Sequence, residues 1–136
     1  MEKKDDASPS ESEWLIMDIL WEKGDSVTSA EVIEELNARS KDGSEMSAKM
    51  VRVLMNRLKA KGLIDFTHDK EDARMYHYFA VRTREECEEI KSKSFVESYF
   101  AGSGKDAVAA LLEVSSLSSE EIDELEKMLA KRKGNR

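Results

Sequence analysis

The stretch MSAKMVRVLMNRLKAKG, residues 46–62, carries five basic side chains, Lys49, Arg52, Arg57, Lys59 and Lys61, and no acidic one. Val51, Leu54, Met55 and Leu58 recur within it at i, i+3, i+4 and i+7, the spacing of one helical face. Lys49, Arg52, Val53, Asn56 and Lys59 fall on the other faces. Ser47 is placed to cap the start, and Gly62 to end the helix just beyond its last turn. The chain around this stretch is acidic: 29 acids against 22 bases in 136 residues, net −7. Residues 1–45 hold 13 acids and 5 bases, residues 46–84 hold 4 and 9, and residues 85–136 hold 12 and 8. A charge run on a helix is ordinarily a solvated face. A basic block this concentrated points instead to a surface for a polyanion. An acidic protein can present one, because fields decay over ~8 Å at physiological salt.

Downstream the hydrophobic period changes from 3.6 to 2. Residues 63–68 (LIDFTH) and 75–81 (MYHYFAV) alternate as strands, and the charged segment 69–73 (DKEDA) between them predicts a β-hairpin. Without an Asn-Gly tip the connection is expected to be several residues long. Upstream, Ser10-Glu11-Ser12-Glu13 is a capping box. Trp14, Met17 and Trp21, with Ile16 and Leu20, then predict a helix over 11–23, stopped at Gly24. Thr28-Ser29-Ala30-Glu31 is a second capping box, opening a helix to Arg39, and residues 26–28 suit a very short strand. A loop follows over 41–45, with Gly43 and Ser44 as turn signals.

The order helix, helix, helix, hairpin is that of a winged helix-turn-helix, in which the third helix enters the DNA major groove and the hairpin touches the flanking backbone. The basic helix is also the third, so order and electrostatics agree independently. Arg52 has the chemistry to read guanine, Asn56 adenine, and Met50 and Val53 the thymine methyl. Lys49, Arg57, Lys59 and Lys61 suit phosphates, Ser47 and the helix start can hold another, and Lys70 and Arg74 are the wing candidates.

Residues 83–136 are acidic and amphipathic. Thr83-Arg84-Glu85-Glu86 opens a helix through Cys87, Ile90 and Ser94 to Phe95, Tyr99 and Phe100, and residues 102–104 break it. Ala107, Val108, Leu111 and Leu112 mark a short helix, and Ser118-Ser119-Glu120-Glu121 caps a last one with Ile122, Leu125, Met128 and Leu129. Lys131, Arg132 and Lys133 close it, where cations complement the helix dipole. Three helices of about a dozen residues bury too little surface alone. Ile90, Phe95, Tyr99, Leu111, Leu112, Ile122, Leu125, Met128 and Leu129 are therefore expected to meet a second copy of the chain. The expected fold is mainly α: a frayed, disordered tail over 1–9, a three-helix-plus-hairpin winged domain over 10–82, and a helical dimerisation domain over 83–136.

Other chemistries find little support. No apolar run approaches the ~20 residues of a membrane span, and the start shows no signal-peptide pattern. Lone Cys87 excludes a disulfide framework and reads as a buried small hydrophobe. With a reduced thiol, the cytoplasm is the expected compartment. His68 and His77 are placed to face one another across the hairpin, but two histidines make a weak metal signal. Trp14 and Trp21, seven apart, read as core. No nucleophile pairs with the abundant carboxylates, and no glycine-rich phosphate loop is present. No catalytic residue, metal or cofactor is expected.

Residues 12–21 (SEWLIMDILW), residues 54–58 (LMNRL) with Lys61-Gly62-Leu63-Ile64, and the wing strand Tyr76-His77-Tyr78 resemble the penicillinase-repressor family (BlaI/MecI/CopY). The likeness covers nearly the whole chain after residue 9. It implies a homodimeric winged-helix repressor of transcription that acts on a palindromic operator. Family members usually carry threonine where this chain has Met50 and Val53, so the operator sequence does not transfer. The copper-responsive branch ends in paired cysteines, which residues 131–136 lack, so copper sensing through that motif is not expected. In the antibiotic-responsive branch a membrane sensor protease cuts between asparagine and phenylalanine; Ser94-Phe95 stands at that place. The alternative for the same fold is a protein-interaction or ligand-sensing regulatory module.

Overall fold

The computed structural model describes residues 7–40 and 46–134. The element order is α1 (Glu11–Lys23), α2 (Ser29–Arg39), α3 (Ala48–Ala60), β1 (Ile64–His68), β2 (Tyr76–Ala80), α4 (Arg84–Tyr99), α5 (Gly104–Val114) and α6 (Ser119–Gly134). The loop expected over 41–45 lies outside the described residues. The fold is mainly α, with the winged helix-turn-helix order that the sequence predicts.

Local signals set the helix ends. Ser10 accepts from the Glu13 N–H while the Glu13 carboxylate accepts from the Ser10 N–H, and Thr28 and Glu31 do the same. The reciprocal bonds recur at Thr83/Glu86 and Ser118/Glu121. Gly24 ends α1 with φ 69°. At the end of α3 the Gly62 N–H donates to the Lys59 carbonyl and the Leu63 N–H to the Leu58 carbonyl. That is a Schellman turn, and Gly62 supplies its left-handed residue at φ 78°. Leu63 and Leu58, both fully buried, make the apolar contact that accompanies such turns.

The chain divides into two compact units, residues 1–94 and 95–136. The first has one core, formed by Ile16, Met17, Ile19 and Leu20 of α1, Val32 and Leu36 of α2, Val51, Leu54, Met55 and Leu58 of α3, with Leu63, Ile64 and Cys87. Trp14 and Trp21 pack on its edge, edge to face with centroids 5.4 Å apart, rather than inside it. Trp21 is half-buried, and its indole N–H donates to the Arg82 carbonyl at 2.8 Å. Arg84 stands over the Trp21 ring and 2.9 Å from Asp18. Cys87 is fully buried; burial first, and the Glu86 carboxylate second, push its thiol up.

The hairpin is antiparallel, pairing Phe66 with Tyr78, Thr67 with His77, and His68 with Tyr76. Val27 exchanges two backbone hydrogen bonds with Tyr78, the short strand expected at residues 26–28. Two expectations are corrected. The histidines do not face one another: they are one residue out of register, and a one-residue offset sends side chains to opposite faces. Residues 7–9 are not frayed: Ala7 and Pro9 are buried, and the Ser8 carbonyl accepts from Lys61.

In the second unit, Ala101 (φ 51°) and Gly102 (φ 84°) turn the chain after α4, and Ser103 caps α5. The helices α4, α5 and α6 run 16, 11 and 16 residues, two of them longer than the dozen expected.

Candidate nucleic-acid interface

Helix α3 is two-faced. Val51, Leu54, Met55 and Leu58 are its buried residues, the four that the sequence periodicity selects. The opposite side exposes Lys49, Met50, Arg52, Asn56, Arg57 and Lys59, with Val53 half-buried among them. Lys49, Arg52, Val53 and Asn56 follow one another at i, i+3, i+4 and i+7, so they form one continuous strip. Met50, 46% exposed, flanks it with Arg57. Ser47 caps the helix, its hydroxyl accepting from the Met50 N–H at 3.1 Å. No acidic residue lies in the first turn, so the positive end of the helix dipole is not offset from within α3.

Two of the basic residues are engaged within the protein. Lys61 points inward: its ammonium donates to Glu13 Oε1 at 2.6 Å and to the Ser8 carbonyl at 3.1 Å. Its expected role as a phosphate contact is thereby corrected, because a buried carboxylate, 1% exposed, needs that cation. Burial raises the Glu13 pKa; hydrogen bonds from Lys61 and the Ser10 N–H, with the Lys61 charge, outweigh it and hold the carboxyl below its usual range. Lys59 remains exposed but lies 3.7 Å from Asp65 and 5.2 Å from the centre of the Phe66 ring.

Lys70 and Arg74 both lie on the loop between β1 and β2, exposed. Arg74 lies 3.3 Å from Asp72. The loop is organised by Asp69, whose carboxylate accepts from the backbone N–H groups of Glu71 and Asp72 and pairs with His77 Nε2 at 2.9 Å. The His77 bond above all, then those N–H groups, hold the Asp69 carboxyl below its ordinary range. The wing carries a further feature. Phe66 and His68 on β1 and Tyr76 and Tyr78 on β2 share a face as an aromatic ladder. The signal is legible in the sequence, since Phe66 and His68, and Tyr76 and Tyr78, stand two positions apart.

The candidate self-association residues fall in both units. Ile90 belongs to the first and is half-buried. In the second, Phe95, Leu111, Leu112 and Ile122 are exposed, Tyr99 is 75% exposed, Met128 and Leu129 are 64% exposed, and Leu125 is half-buried. Ser94 and Phe95 are exposed within α4 and flank the division between the units. Among the described residues no group of three His, Cys, Asp or Glu side chains is placed to hold a metal, and no helix is long and apolar enough to cross a membrane.

Residues 9–131 match the profile of the family described as "Penicillinase repressor". The chain belongs to that family. The "Methicillin resistance regulatory protein MecI" of Staphylococcus aureus (strain N315) is 30% identical over 123 residues, 90% of this chain and 94% of that protein. The "Penicillinase repressor" of Bacillus licheniformis is 32% identical over 127 residues, 93% of each. Among solved structures, the YusO protein from Bacillus subtilis superposes with a TM-score of 0.50 at 22% identity, covering 94% of this chain and 77% of that one. That last likeness is one of fold. The family is one of repressors and not of enzymes.

Proposed function

We propose that the chain is a sequence-specific, double-stranded-DNA-binding transcriptional repressor that acts in the cytoplasm as a homodimer on a palindromic operator. One observation carries this reading: α3 turns its apolar stripe into the core and presents Lys49, Arg52, Asn56 and Arg57 outward with no acid among them. Arg52 reads guanine O6 and N7, Asn56 an adenine edge, and Met50 and Val53 make apolar contact in the groove. Lys49, Arg57 and Lys59, with Ser47 at the helix start and Lys70 and Arg74 on the wing, position the protein on phosphates. The exposed apolar residues of α4, α5 and α6 support pairing with a second copy, and a two-fold pair matches a two-fold operator. Relief by a membrane sensor protease cutting at Ser94-Phe95 is part of this reading; exposure of both residues supports it, and cleavage there would part the two compact units.

The test is duplex binding as a function of salt. With Lys61 committed to Glu13, Lys49, Arg57 and Lys59 give about six phosphate contacts per dimer and Lys70 and Arg74 raise this to about ten, so log K should fall against log salt with slope between about −5 and −9. A flat response overturns the proposal. Mixing the protein with protease-bearing membranes and sequencing the fragments tests Ser94-Phe95; an intact bond removes that part of it.

A further inference from the structure

The wing holds more acid than base. Over residues 65–77, Asp65, Asp69, Glu71 and Asp72 outnumber Lys70 and Arg74. Arg74 is paired with Asp72, and Lys59 of α3 with Asp65. A further cation on such a hairpin would strengthen its hold on a phosphate backbone beyond what Lys70 and Arg74 supply. Both histidines of the chain are there.

His68 Nδ1 lies 2.8 Å from the Ala73 carbonyl oxygen. A carbonyl only accepts, so in the neutral ring Nδ1 carries the proton and Nε2 offers a lone pair. Nε2 becomes a donor only when the ring is cationic. The exposed ring stands edge-on to Phe66 and Tyr76, at 5.7 and 4.8 Å between centroids. Tyr76 in turn stacks on Phe66 at 4.4 Å and 10°. The ladder lies on the side of the hairpin reached by Lys59, and so by the last turn of α3. Its outer end holds an imidazole and a phenol that pack against one another and on Phe66.

We propose that His68 and Tyr76 form a phosphate-contact site at the outer end of the wing, cationic His68 donating from Nε2 and Tyr76 from Oη to non-bridging oxygens of a duplex backbone. This rests on the DNA-binding reading above and adds to it a proton taken up on binding. His77 does not serve in this way. It lies on the opposite face, and its Nε2 is taken by the Asp69 carboxylate at 2.9 Å. One cleft at the hairpin loop is lined by Ser26, Thr67, His68, Asp69, Lys70, Glu71 and His77, so Asp69, Glu71 and Lys70 are the charged groups of the wing nearest His68 as well as His77. From the packed helices the charged neighbour is Lys59, already held by Asp65 and Phe66. Binding strengthens as pH falls, because a bound phosphate favours the protonated ring over the neutral one.

The full chain is titrated against a labelled random-sequence duplex by fluorescence anisotropy between about pH 5.5 and 8. Wild type should gain about tenfold in affinity toward the acid end. His68→Gln should flatten that profile and lower the salt slope by about one per copy, while His77→Gln keeps the profile. His68→Lys, with a fixed charge, should bind tightly at every pH. Tyr76→Phe should weaken binding about fivefold at all pH values with an unchanged melting temperature. If wild type binds but His68→Gln retains its pH profile, or Tyr76→Phe binds as wild type does, this inference is overturned and the DNA-binding reading stands. If wild type binds no duplex, both fall.

Discussion

Glu13 illustrates how much a single side chain does. Its carboxylate completes the α1 capping box and receives the Lys61 ammonium from the end of α3, 48 residues away. Its pKa is lowered in the folded state, so the unfolded chain binds more protons in the window between the two values, and stability rises with pH there. The contribution is complete above the ordinary carboxylate range and lost as pH falls through the lowered value. Glu13→Gln should cost about 1–3 kcal/mol at neutral pH and flatten the acid side of a stability-versus-pH curve from urea melts. An unchanged acid limb would show that other carboxylates set it. Arg52 is the counterpart on the exposed face, with no ion pair among the described residues. Arg52→Ala should cost about 1–3 kcal/mol at one base pair of the operator and relax preference there, whereas Lys49→Ala should weaken all sequences alike. Competition binding with operator variants distinguishes them.

At the scale of the element, the passage from α3 to β1 decides how the wing is launched. Gly62 adopts φ 78°, and a Cβ built there would meet nothing within 4 Å. The cost of Gly62→Ala is therefore conformational alone, about 1–2 kcal/mol for an L-residue in the left-handed region. A thermal melt should show a drop of a few degrees, with the secondary structure kept. An unaltered melting temperature would mean the turn adapts. This element was legible in sequence because all its signals are local: Ser47, the Val51–Leu58 stripe and Gly62 lie within sixteen residues. The four capping boxes were legible for the same reason. The hairpin strands could be read from alternation, but their register could not. Register depends on which residues of two segments pair, and it is what separates His68 from His77 and gathers the aromatic ladder.

For the whole molecule, the question is what covers the exposed side chains of α5 and α6. Leu111, Leu112, Met128 and Leu129 are each about half or more exposed, and clustered exposed apolar side chains mark surfaces that meet a partner. Leu111→Glu combined with Met128→Glu should give a monomer by sedimentation velocity and weaken operator binding by about 10²-fold or more through loss of avidity. Circular dichroism should show the helices of the first unit retained. A double variant that still sediments as a dimer would place the self-association surface elsewhere.

The helix boundaries, the buried stripe of α3 and its cationic outer face follow from the amino-acid order alone. Each is written in side chains a few positions apart, where caps and periodicity act. Which cations are free follows from packing. Lys61 and Lys49 look alike in the sequence, yet Glu13 claims one and the other stays exposed. A buried carboxylate must find a partner wherever the fold brings one, and no local pattern records that distance.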